Sequence, residues 1–97
     1  MFLIRDVFKT RPGRAKDLVA KFKQAAPHMK APGIHSSRVM TDTVAVYWTV
    51  VFETEVENLQ TYFDMGRNRP ASPELEEAMK DYMDLVYGGH REIFHIE

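Results

Sequence analysis

The sequence predicts an α+β domain: a four-stranded antiparallel sheet with helices packed on one face. Two observations carry this. Short β-branched and aromatic segments alternate with segments of helical hydrophobic spacing in the order βαββααβ, without internal repeats or low-complexity tracts. The chain has 97 residues, the length of one domain spanning 1–97.

Phe2–Lys9 (FLIRDVFK) reads as the first strand. Arg11-Pro12-Gly13 interrupts it, with Pro12 suited to the first turn of a helix. Ala15, Leu18, Val19, Phe22 and Ala26 then recur at helical spacing, and Pro27 should end that helix. Pro32-Gly33 marks a turn, Ile34–Met40 a second strand, and Thr41-Asp42-Thr43 a hairpin turn. Val44–Glu53 (VAVYWTVVFE) has the strongest strand character in the chain.

Thr54 and Glu57 have the spacing of a capping box, so a helix is expected from Thr54, with Val56, Leu59 and Phe63 as its apolar stripe. Gly66–Ala71 is the irregular stretch and the expected mobile segment. Ser72-Pro73-Glu74 opens another helix, with serine as N-cap and proline at the first helical position. Leu75, Ala78, Met79, Tyr82 and Val86 continue it to a stop at Gly88-Gly89, and Arg91–Ile96 closes the sheet. This order is the split βαβ arrangement of ferredoxin-like folds.

Composition narrows the partners. Hydrophobic residues make up 44% and charged residues 28%, the balance of a folded globular chain. A net charge of −1 offers little pull on phosphate backbones or anionic lipid, so neither nucleic acid nor membrane is an expected partner. The chain has no cysteine, which removes disulfides and thiolate chemistry. The longest apolar run, Val44–Trp48, is too short to span a bilayer, and Arg5 and Asp6 interrupt any secretory leader, so the expected location is cytoplasmic.

An unbroken strand over Val44–Glu53 would put Val44, Val46, Trp48, Val50 and Phe52 on one face and Ala45, Tyr47, Thr49 and Val51 on the other. In the first strand Phe2, Ile4 and Phe8 likewise oppose Leu3 and Val7. Helices cover only one face of such a sheet. The expected cover for the second is another copy of the sheet, which makes the chain a homodimer; incidental exposure is the alternative.

Several short motifs now bear on the family. They are Arg11-Pro12-Gly13-Arg14-Ala15, Ala31-Pro32-Gly33-Ile34, Val51-Phe52-Glu53-Thr54-Glu55 and Arg91-Glu92-Ile93-Phe94. In this order and spacing the chain resembles the dimeric α+β barrel superfamily, in particular the antibiotic-biosynthesis-monooxygenase-like proteins, with the NIPSNAP-like proteins as cousins. The resemblance implies two sheets packed into a barrel and, in each copy, a pocket between sheet and helices. It also implies a small aromatic or quinol-type substrate for a cofactor-independent monooxygenase, with a non-catalytic ligand-binding or assembly module as the alternative. No cofactor is implied.

Haem-degrading members are similar to one another in an Asn, a Trp and a His. Those positions fall here on Asp6, Phe52 and Tyr62, so all three depart and haem breakdown is not expected. Asp6 and Tyr62 are the candidate catalytic residues. In apolar surroundings Asp6 would have a raised pKa and could serve as a base toward a phenol. Alternatively it pairs with an arginine such as Arg5 or Arg38. Trp48, Phe52 and His35 are the candidate contacts for a small apolar or aromatic ligand, since an indole or phenyl face stacks on planar groups. Trp48 could equally be core or interface. The four histidines, His28, His35, His90 and His95, lack helical ligand spacing, and no metal site is expected.

Overall fold

A computed structural model describes residues 1–68 and 72–97. The elements are β1 (Phe2–Thr10), α1 (Ala15–Ala25), a 3₁₀ turn (Ala26–His28), β2 (Ile34–Thr41), β3 (Thr49–Val56), α2 (Leu59–Asn68), α3 (Pro73–Ala78), a second 3₁₀ turn (Tyr82–Leu85) and β4 (Val86–His95). The four strands form one sheet in the order β2-β3-β1-β4, every neighbouring pair antiparallel. This is the expected ferredoxin-like βαββααβ architecture.

Register divides the sheet into two faces. Ile4 lies opposite Thr54, Asp6 opposite Phe52 and Phe8 opposite Val50. These residues face the helices, together with Val39, Arg91 and Ile93. The core lies on this side, where Ala15, Leu18 and Phe22 of α1 meet Val50, Phe52 and Leu85. Phe22 stacks on Phe52 at 4.9 Å and tilts against Phe8 at 5.3 Å. Leu3, Arg5, Val7, Val51, Glu53, Met40 and Phe94 lie on the opposite, open face.

Several local expectations are corrected. The strand expected over Val44–Glu53 starts only at Thr49 and runs on to Val56. Its first five residues form an exposed loop, with Val44 96% and Tyr47 82% exposed. A strand needs neighbours for its N–H and C=O groups. Here β1 has ended at Thr10 and β2 at Thr41, so Val44–Trp48 have no strand beside them. The loop closes where Asp42 Oδ1 accepts from Thr49 N–H at 2.9 Å and Trp48, at φ 59°, turns the chain into β3. The open face is accordingly less apolar than the sequence implied, because Glu53 and Arg5 sit at its centre.

Thr54 does not cap a helix. It is a buried β3 residue, and Val56, expected on the helix, pairs with Phe2. The cap of α2 is Asn58, whose Oδ1 accepts from Thr61 N–H at 2.9 Å. Pro12 sits outside α1, in a turn closed by Arg14 N–H to Arg11 C=O at 3.0 Å. Gly13 follows it at φ +79°, a position that type II turns reserve for glycine.

The helix opened by Ser72 starts as expected, its hydroxyl accepting from Leu75 N–H at 3.1 Å, but it ends at Ala78. Gly88 and Gly89 belong to β4 instead of ending a helix. A side chain at Gly89 would put its Cβ 2.1 Å from the Val7 carbonyl oxygen, so glycine is required there by the close approach of β1. In the expected mobile segment Gly66–Ala71, α2 continues to Asn68, and residues 69–71 lie outside the described residues.

Candidate functional site

The helix-facing side of the sheet does not fill completely. Between it and α1, α2 and α3 lies a cavity of about 730 Å³, within the range of small-molecule sites. Its apolar wall includes Met29, Ile34, Phe52, Phe63, Met65 and Leu75. Tyr62, Thr54, Ser37 and Arg91 bring polar groups to it, and Lys23 and Lys30 stand on the α1 side. The Asn58 cap sets where α2 begins, and one helical turn further on Tyr62 and Phe63 reach the cavity.

Asp6 is tied to this wall through Arg91. The Arg91 guanidinium donates to both carboxylate oxygens of Asp6, Nε to Oδ1 at 2.5 Å and Nη2 to Oδ2 at 3.3 Å. Cross-strand register makes the pair, because Asp6 of β1 lies directly opposite Arg91 of β4. Arg5 and Arg38, the partners anticipated for Asp6, lie on the open face. The Arg91 guanidinium also stands 6.0 Å from the centre of the Tyr62 ring.

The charges around Tyr62 determine its state. Burial raises the pKa of its phenol, the Asp6 carboxylate raises it further, and Arg91 opposes both. The hydrogen bonds that Arg91 donates to Asp6 raise the Arg91 pKa against the effect of burial. At neutral pH Tyr62 is therefore a neutral phenol and Arg91 a cation. Both are hydrogen-bond donors.

Asp6, Tyr62 and Phe52 thus come together around one cavity, although Asp6 reaches it only through Arg91. Trp48 and His35 do not join them. Trp48 lines a separate depression of about 590 Å³ with Ala15, Val19 and Tyr47, at the other end of the sheet. His35 sits at an irregularity of β2, and its ring meets the exposed Glu57 carboxylate at 2.7 Å. Arg91 was the functional candidate that sequence reasoning passed over. Its only signal was a place on the last strand, which cannot be matched to Asp6 without the register.

The open face carries a second charged cluster. Glu53, whose side chain is 2% exposed, accepts from Arg5 Nε and Arg38 Nη2, both at 2.6 Å. Arg5 also reaches Glu92 at 3.2 Å, and His90 lies 3.1 Å from Glu92. Burial would raise the Glu53 pKa, but the hydrogen bonds from Arg5 and Arg38 outweigh it and leave the group below its ordinary value. Among the described residues no helix is long and apolar enough to cross a membrane.

Comparison with known structures matches the fold. A candidate antibiotic biosynthesis monooxygenase from Bordetella bronchiseptica superposes with a TM-score of 0.77 at 18% identity, covering 99% of this chain and 96% of that one. An uncharacterised NIPSNAP domain protein from Burkholderia xenovorans gives a TM-score of 0.79 at 8% identity, over 100% and 95% of the two chains. The chain has the fold of the antibiotic-biosynthesis-monooxygenase-like and NIPSNAP proteins. A candidate monooxygenase from Chloroflexus aurantiacus is also similar, with a TM-score of 0.72 at 14% identity over 96% and 89%. No protein-family model and no curated protein matches the sequence. Identities this low carry the shared fold and no activity.

Proposed function

We propose that the chain is a monooxygenase-like protein that takes a small aromatic or quinol-type compound into the cavity between its sheet and helices. The observation that carries this is the cavity itself, an apolar chamber with the donors Tyr62 and Arg91 on its wall. A planar ring would rest against Phe52 and Phe63 while Tyr62 and Arg91 bind its oxygen substituents. Donors placed there favour the phenolate over the phenol, and a phenolate is the electron-rich form that reacts with oxygen. In this reading the substrate supplies the electrons. A ring C–H becomes a carbonyl that takes one oxygen atom, the phenolic C–O becomes the second carbonyl, and the other oxygen atom leaves as water with the ring hydrogen and the phenolic proton.

Asp6 would receive the phenolic proton by way of Arg91's place in the pair, which requires that Arg91 turn from Asp6 toward the substrate. The alternative, a ligand-binding module without turnover, is favoured by one observation: both Asp6 oxygens are already engaged by Arg91. Titration with hydroxylated aromatics and quinols, read by absorbance and oxygen uptake, tests the two. Quinol-dependent uptake that falls by at least about tenfold in Asp6→Asn supports the enzyme. Binding without uptake, unchanged by that substitution, supports the module, and the absence of any binding overturns both.

Two copies joined through their open sheet faces form part of this reading. Leu3, Val7, Val51, Met40 and Phe94 supply apolar contact on that face. Glu53 is already hydrogen-bonded within its own chain, so a partner could cover it without leaving a charge unpaired.

A further inference from the structure

Among the described residues, the charges lining the cavity are all of one sign. Lys23, Lys30 and Arg91 contribute cations, and no aspartate or glutamate is among the described lining residues. Arg91 is neutralised by Asp6. Lys23 and Lys30 are exposed, and neither forms an ion pair or hydrogen bond among the described residues. Lys23 sits in the last turn of α1, where a cation also complements the helix dipole. Lys30 follows the 3₁₀ turn and has no such role. Hydroxyls are free as well. Among the described residues Thr54, although buried, makes no side-chain hydrogen bond and its oxygen is not sealed from solvent, and the Tyr62 phenol likewise has no hydrogen-bond partner.

We infer that the cavity selects an anionic aromatic ligand, one whose ring enters the apolar chamber while a carboxylate or similar anionic group stays on the α1 side with Lys23 and Lys30. The inference rests on the cavity being a ligand site, and adds the charge class of what it takes. A ring alone would fit the apolar wall with either charge. Two unneutralised ammonium groups at its border favour the anion by Coulomb attraction, an effect that salt weakens because the lysines are exposed.

The test uses two probes of matched shape, 2-naphthoate and the neutral 2-naphthalenemethanol. Both are titrated calorimetrically into the native protein and into the Lys23→Gln/Lys30→Gln variant. In the native protein naphthoate should bind about tenfold more tightly than the alcohol, and the margin should shrink between about 20 and 300 mM salt. In the double variant the margin should vanish while affinity for the alcohol stays unchanged, which also shows that the variant is folded. Equal affinity for both probes in the native protein, or a preference that survives the double substitution, overturns the charge selection but leaves the ligand site standing. Failure of both probes to bind overturns the ligand site and this inference with it.

Discussion

Asp6 and Glu53 are both strand carboxylates held by arginine, yet they lie on opposite faces of the sheet and do different work. Asp6 was noticeable in the sequence because it interrupts an apolar strand. Its partner was not, since Arg5 is adjacent in sequence but points to the other face, whereas Arg91 is brought opposite by pairing. Glu53 enters the sequence reading only as the end of a strand and as part of a family motif, with no local signal of burial. Its consequence is a pH dependence. The folded-state pKa of Glu53 is lowered from 4.5, so its stabilising effect is complete above that unfolded value and fades as pH falls through the lower folded value. Glu53→Gln should cost about 2 kcal/mol near neutrality. That difference from the native protein should shrink steadily in denaturant melts below about pH 4.5. A difference independent of pH would mean that the carboxylate charge contributes nothing.

The elements depend on a few terminal residues. Ser72 and Asn58 are the working N-caps of α3 and α2, so Ser72→Ala and Asn58→Ala should each cost about 1 kcal/mol. Their effects should add in the double variant, as the helices are separate. Thr54 had the capping spacing and lost it to pairing: β1 extends to Phe2, and its register carries β3 as far as Val56. Gly89 is the sharper case. Gly89→Ala should either cost roughly 3 kcal/mol or part β4 from β1, since backbone at 2.1 Å from the new Cβ cannot give way as a flexible side chain would. Thermal melts measure the first, and amide exchange at His90 and Val7 the second. A variant matching the native protein in both would show that the strands are further apart than described.

For the molecule as a whole, the open sheet face is the feature that one copy leaves unresolved. The sequence expectation of a dimer rests on the two apolar faces of Val44–Glu53 and of the first strand, and Val44–Trp48 is loop. The dimer now rests on Leu3, Val7, Val51, Met40 and Phe94. Sedimentation at micromolar concentration should give about twice the 11.3 kDa chain mass. Val51→Glu should return it to a single chain by placing an unpaired carboxylate in the contact, while Val44→Glu, on the exposed loop, should not. A native protein that sediments as one chain would remove the dimer from the proposed function.

Sequence alone determined the order of elements and the α+β class, because these follow from local signals. Helical spacing identified α1, β-branched and aromatic runs identified β1 and the core of β3, and Ser72-Pro73 announced a helix start. It also picked out Phe52 and Tyr62, which line one cavity, and Asp6, which is tied to that cavity through Arg91. Where β3 begins, that Asn58 and not Thr54 caps α2, and that Arg91 and not Arg5 or Arg38 holds Asp6 follow from the three-dimensional arrangement. The physical reason is the same in each case. A strand exists only where a neighbour satisfies its backbone, and side chains meet across a sheet by register, which couples residues 85 positions apart and leaves no local trace.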